Sequence, residues 1–149
     1  MAAAKTPVAP DERAHLASGL MAPLFLDTTV LIDALRGRKA AERLRELRGQ
    51  GPPPYICAVN VEEVWRGTRT GEEEAVGGLL AALRIAPLGR AEGERAGHWR
   101  ARFAADGVTL GQADCLIAAA AVGVGARLAT GNPRDFPMDE LEVEDWPVG

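Results

Sequence analysis

From Leu24 onward the chain alternates short runs of consecutive apolar residues with longer segments whose apolar positions recur every three or four residues. Runs of the first kind suit strands buried on both faces, and segments of the second kind suit helices laid against them. Leu24, Phe25 and Leu26 make one such run, closed by Asp27. The pattern then predicts a short helix over 30–35 stopped at Gly37, and an amphipathic helix over 39–48 with Leu44 and Leu47 on its apolar face. After a loop at 51–54 come a strand over 55–59, a helix over 61–66 closed near Gly67, and a helix over 72–83 whose acidic first turn suits its dipole. A strand over 84–88, a long helix over 91–105, a very apolar helix over 112–122, and strands over 127–130 and 141–144 complete the series.

Strands separated by helices predict a parallel α/β sheet covered on both faces, and such sheets bind ligands beyond the carboxyl ends of their strands. Polar residues stand where those ends should lie: Asp27 after the first strand, residues 60–63 after the second, and residues 130–132 after a later one. Asp114 opens the apolar helix and is almost its only polar residue. Residues 1–20 mix Ala, Pro and charge without a sustained apolar period, and read as a flexible N-terminal extension, or as sequence upstream of a start at Met21. Residues 21–149 are expected to form one domain, since 149 residues suit a single core.

The inventory of reactive side chains narrows the chemistry. Ser18 is the one serine, Lys5 and Lys39 the only lysines, and His15 and His98 the only histidines. A serine hydrolase, a phosphate-cradling loop with its lysine, and a multi-histidine zinc site are all excluded. Cys57 and Cys115, flanked by apolar residues, read as reduced core thiols of a cytoplasmic protein. No apolar run approaches the roughly 20 residues that cross a bilayer. A net charge of −4 argues against a broad grip on nucleic acid, yet 15 of the 17 basic residues are arginine, the side chain best suited to phosphate. Carboxylates, assisted by a cation, are left to do the chemistry.

Each acid has a structural use to set beside a catalytic one. Asp27 and Asp114 both stand where helix caps or dipole partners are common. Glu62 and Glu63 diverge by about 100° on a helix, so at most one can face a shared site, and periodicity does not choose between them. Carboxylates gathered at one sheet edge repel, and a hard divalent cation with oxygen ligands relieves that repulsion while taking phosphate oxygens into its open positions.

The segments FLDTTVLIDALRG, ICAVNVEEVWRG, QADCLIAAAA, LATGNPRDF and LEVEDW, in this order and spacing, resemble the PIN-domain ribonucleases, especially the VapC-type toxins of toxin–antitoxin pairs. The resemblance runs from Met21 to Trp146. It implies a PIN-like three-layer α/β/α fold with a central, mostly parallel sheet of about five strands. It further implies a Mg²⁺- or Mn²⁺-dependent endoribonuclease with RNA as substrate, a cognate VapB-type antitoxin as inhibitor, and a homodimer. By motif, Asp27, Glu63 and Asp114 become the metal ligands, Glu63 being the acid four residues before Gly67. Asn132 takes the fourth catalytic position, and Asp135 either assists it or caps the following turn. Thr28 and Thr130 are expected to orient Asp27 and the Asn132 loop. Cys57 and Asn60 replace hydroxyl residues common in relatives, Asp33 reads equally as a surface or interface acid and as a catalytic one, and Trp65 as core or antitoxin-groove surface rather than a base-stacking platform. The alternative is a PIN-fold module with too few acids to cleave, which binds RNA or a partner. A haloacid-dehalogenase-like phosphatase is disfavoured because Thr29 stands where its second acid belongs.

Overall fold

The computed structural model describes residues 22–149. The proposed extension over 1–20 lies outside them. Five strands, β1 (Leu24–Leu26), β2 (Tyr55–Ile56), β3 (Arg84–Ile85), β4 (Arg127–Thr130) and β5 (Val143–Asp145), form one sheet in the order β3-β2-β1-β4-β5. Every neighbouring pair is parallel. Six helices connect them: α1 (Thr28–Leu35), α2 (Lys39–Leu47), α3 (Ala58–Arg66), α4 (Glu73–Ala81), α5 (Arg90–Ala105) and α6 (Gln112–Gly123), with a 3₁₀ turn at Pro133–Asp135.

The alternation of β1 side chains builds both faces of the core. Phe25 points into a layer formed by α5, α6 and the residues before β5, including Trp99, Ile117, Met138 and Leu141. Leu24 and Leu26 point the other way, into a layer formed by α1, α2 and α4 with Val30, Leu31, Ala40, Val76 and Leu80. The arrangement is the expected three-layer α/β/α fold, and its sheet is wholly parallel. α6 lies deepest, with Ala118, Ala119, Ala120 and Ala121 all fully buried. Its run of small side chains lets the helix backbone approach the sheet closely, which is how a chain poor in aromatics fills this layer.

Three element boundaries differ from the sequence pattern for identifiable reasons. β2 ends at Ile56 rather than Val59 because the buried Asn60 side chain accepts the Cys57 N–H (2.8 Å), so the backbone turns into α3 early. β3 stops at Ile85, two residues before Pro87, which has no N–H to add to the ladder. β5 begins at Val143, because Leu141 is buried against the α5–α6 layer instead of lying in the sheet.

The chain runs outward from β1 through β2 to β3, then returns to place β4 on the other side of β1. The crevice at such a reversal, beyond the carboxyl ends of the strands, is where an open α/β sheet offers a site. Asp27 leaves β1 there, held by its N–H to the carbonyl of Ala129 in β4 (2.9 Å).

A candidate acidic active site

Asp27 occupies the position before α1, yet its carboxylate makes no capping bond to the helix. It is almost fully buried, and its Oδ2 accepts hydrogen bonds from the hydroxyls of Thr130 (2.7 Å) and Thr29 (2.9 Å). Both hydroxyls are themselves anchored: Thr130 Oγ1 accepts the Asn132 N–H and Thr29 Oγ1 accepts the Gly131 N–H, each at 3.0 Å. A Cβ at Gly131 would come within 2.8 Å of the Val148 side chain, which would have to shift to admit it. The loop after β4 is thereby clamped onto the start of α1. With Oδ2 taken twice, Oδ1 accepts no bond from a described residue and is the donor atom left for a ligand.

Glu63 is placed by α3 and by a relay that starts in the core. The fully buried Asn60 spends its Oδ1 on the Cys57 N–H and donates its amide to the Leu26 carbonyl (3.3 Å) and to Thr28 Oγ1 (3.0 Å). Since Thr28 Oγ1 accepts there, its proton points to Glu63 Oε1 at 2.7 Å. Thr28 therefore positions Glu63, not Asp27 as its sequence position suggests, and the neighbouring Thr29 takes the Asp27 role. Glu63 also lies 3.8 Å from the Arg66 guanidinium, while Glu62 points outward in a solvated pair with the same arginine.

Asp114 sits in the first turn of α6 with its carboxylate over Gly111 and, among the described residues, accepts no hydrogen bond. Burial pushes its acidity down to a pKa of about 6, and the charges of Asp135, Asp27 and Glu63 push in the same direction. All four acids therefore share one electrostatic neighbourhood. Among the described residues, no three acidic, His or Cys side chains are already drawn together tightly enough to grip an ion. The donors are all carboxylate oxygens, one of them without a hydrogen-bond partner and destabilised as an anion, which is the chemistry a hard divalent cation fits.

Asn132, expected at the fourth position, and Asp135 differ in their surroundings. Asn132 is exposed, and its backbone shapes the loop: its N–H goes to Thr130 and its carbonyl accepts the Asp135 N–H (3.0 Å). Asp135 exerts the strongest charge effect on Asp114 and lines the same cavity, without capping any turn through its side chain. The residue pattern left Asp135 between two readings because a loop position carries no period that shows where its side chain points.

Other sequence expectations resolve differently. Asp33 is neither a surface nor a pocket acid: it is buried and accepts the N–H groups of Ala40 and Gly149, both at 2.9 Å. Trp65 is 42% exposed on α3 and so is not a core residue. Cys57 and Cys115 are free, buried thiols whose pKa values burial pushes up, so neither is a poised nucleophile.

The PIN-domain family profile matches residues 24–139, most of the chain and every acid just described. The chain belongs to the PIN-domain family. Ribonuclease VapC10 of Mycobacterium tuberculosis is 38% identical over 117 residues, covering 78% of this chain and 88% of that protein. Among solved structures, the same PIN fold is found in the DNA-bound VapBC of Salmonella typhimurium, with a TM-score of 0.71 and 24% identity over 85% of this chain and 99% of that one. A toxin–antitoxin complex from Klebsiella pneumoniae superposes with a TM-score of 0.64 and 26% identity, covering 77% and 90% of the two chains. No helix of the described residues in this PIN domain is long and apolar enough to cross a membrane.

Proposed function

We propose that this PIN domain is a divalent-metal-dependent endoribonuclease and the toxin of a toxin–antitoxin pair, with Asp27, Glu63 and Asp114 holding the metal. The observation that carries the reading is Asp114: an unpartnered, partly buried carboxylate facing three further acids, in a chain that resembles Ribonuclease VapC10. The chemistry supplied by a bound Mg²⁺ or Mn²⁺ is neutralisation of the clustered carboxylates, acidification of water, and a positive grip on phosphate oxygens.

The chain's own residues prepare that chemistry. Thr29 and Thr130 fix Asp27 through its Oδ2 and leave Oδ1 for a ligand. The Asn60–Thr28 relay aims the Thr28 hydroxyl proton at Glu63 Oε1 and so fixes the direction of that carboxylate. Burial and its acidic neighbours disfavour ionised Asp114, and an incoming positive charge relieves that cost. Asp135 completes the acidic wall beside Asp114, while Asn132 stands at the rim, where its amide can orient phosphate or water. Water attack at phosphorus with departure of the 3′ oxygen leaves a 5′-phosphate and a 3′-hydroxyl.

An antitoxin of the VapB type is the partner on this reading. α1 and α3 pack together, and each leaves a large apolar side chain exposed, Ile32 and Trp65, beside the helix that carries Glu63. A partner helix laid there would cover both, and a partner arginine would be welcome among the acids. A homodimer, a cytoplasmic setting and an extension over 1–20 belong to the same proposal.

The test is incubation of the purified, antitoxin-free full chain with single-stranded RNA and Mn²⁺, followed by end-group analysis. Cleavage stopped by EDTA, with 5′-phosphate ends, is expected. Cleavage that persists in EDTA or yields a 2′,3′-cyclic phosphate overturns the mechanism. RNA binding without cleavage at any Mn²⁺ concentration favours the non-catalytic binding module instead.

A further inference from the structure

A cavity of about 260 Å³ opens beside Asp114 and Asp135, between the α5–α6 connection and the loop after β4. Its lining joins the acids Asp114 and Asp135 to the apolar side chains of Phe103, Val108 and Pro137, and Arg134 also borders it.

The apolar wall has a local cause. α5 ends in a turn in which Gly107 adopts a positive φ of 78°, the Gly107 N–H bonds the Ala104 carbonyl, and the Val108 N–H bonds the Phe103 carbonyl at 2.9 Å. This closing pattern brings the residue after the glycine against the residue three from the helix end. Here the pair is Val108 and Phe103, and Val108 still remains 41% exposed on the cavity side. The Arg100 guanidinium, bonded to the Leu110 carbonyl (3.3 Å), pins the next residues, so the wall is set before any ligand arrives. Arg134 is exposed and forms no ion pair with a described residue.

We infer that this cavity receives one base of the RNA strand, that of a nucleotide bordering the scissile phosphate. The inference rests on the ribonuclease reading above and adds the place where the substrate is held. Single-stranded RNA is gripped by an apolar or aromatic surface for the base face and arginine for the backbone, and both are present on one cavity. Its volume lies just below the roughly 300–1,000 Å³ of ordinary small-molecule pockets, which suits one ring system rather than a dinucleotide. A partner's arginine is the competing occupant of an acidic pocket, and Arg134 on the same cavity is the group that would pair with the phosphate of the nucleotide whose base enters. Arg134 and Val108 are thus substrate-positioning residues.

The test compares an oligoribonucleotide cut by the wild-type chain with versions lacking the base at each nucleotide flanking the cut, using wild type, Val108→Asp and Arg134→Ala. For wild type, removing one flanking base lowers kcat/KM about tenfold, chiefly through KM. For Val108→Asp the same removal changes it less than about twofold. Arg134→Ala raises KM for both RNAs alike. Equal sensitivity to base removal in wild type and Val108→Asp, or none at either flanking nucleotide, overturns the pocket while the ribonuclease reading stands. Val108→Ala, which keeps the helix-closing contact small and apolar, separates loss of the pocket from loss of the fold. If the wild-type chain cuts no RNA with Mn²⁺, the ribonuclease reading itself falls and the pocket with it.

Discussion

An aspartate at the end of a parallel strand can cap the next helix, tie a loop, or face a ligand, and its hydrogen bonds tell these uses apart. Asp27 and Asp114 cap nothing with their side chains, whereas Asp33 is saturated by two backbone donors and is purely structural. Replacement of Asp27 by Asn keeps an acceptor for Thr29 and Thr130 but removes the charge, so RNA cleavage should fall at least about a hundredfold with the unfolding midpoint little changed. The relay to Glu63 makes a subtler claim. Thr28→Val removes the hydroxyl that Glu63 Oε1 accepts from and deprives the Asn60 amide of a partner. Activity and Mn²⁺ affinity, the latter read by calorimetry, should both drop about ten- to a hundredfold, and Thr28→Ser should restore most of each. Unchanged Mn²⁺ affinity in Thr28→Val would remove that hydroxyl from the site.

At the scale of elements, α6 joins stability to function. Its first turn carries Asp114, and four consecutive fully buried alanines seat the rest of it against the sheet. Ala119→Leu inserts three carbons where no space is free and should cost about 1–3 kcal/mol, seen as a lower urea midpoint at unchanged slope. Because the helix would shift bodily, the same variant should also weaken Mn²⁺ binding, a loss that an exposed substitution such as Gln112→Ala should not cause. Asp33 plays a similar joining part on the other face, tying the start of α2 to Gly149. Asp33→Ala leaves the buried Ala40 N–H unsatisfied and should cost about 1–3 kcal/mol without touching the chemistry.

For the whole molecule, the acidic pocket makes stability depend on pH and metal together. The pKa of Asp114 in the fold is about 6, against about 3.9 for a free Asp side chain. An acid raised on folding stabilises the fold most below its unfolded pKa, and that contribution is lost as pH rises through the folded value. Without divalent ions, wild type should therefore lose stability relative to Asp114→Asn between about pH 4 and 6. Mn²⁺ favours the ionised form, so near pH 7 it should raise the unfolding midpoint of wild type and do little for Asp114→Asn. Parallel melts of the two proteins with and without Mn²⁺ check both statements, and coincident pH profiles would contradict the first.

Much of this molecule follows from the order of its residues. Alternation of apolar runs and helical periods suffices for a parallel sheet covered on both faces, because a strand buried on two sides must be apolar throughout and a covering helix on one side only. The scarcity of Ser, Lys and His leaves carboxylates as the chemical groups, and the spacing of Asp27, Glu63 and Asp114 carries the family resemblance. What folding decided is which neighbour each side chain meets. Adjacent threonines divided between Asp27 and Glu63, Asp135 came to face Asp114 while Asn132 turned to solvent, and Asp33 was buried. Such choices depend on contacts between residues far apart in sequence, about 35 positions from Thr28 to Glu63 and 103 from Asp27 to Thr130, which no local period encodes. The cavity beside Asp114 belongs to the same class, since a helix-closing turn and a distant loop form it only once β4 has returned to the middle of the sheet.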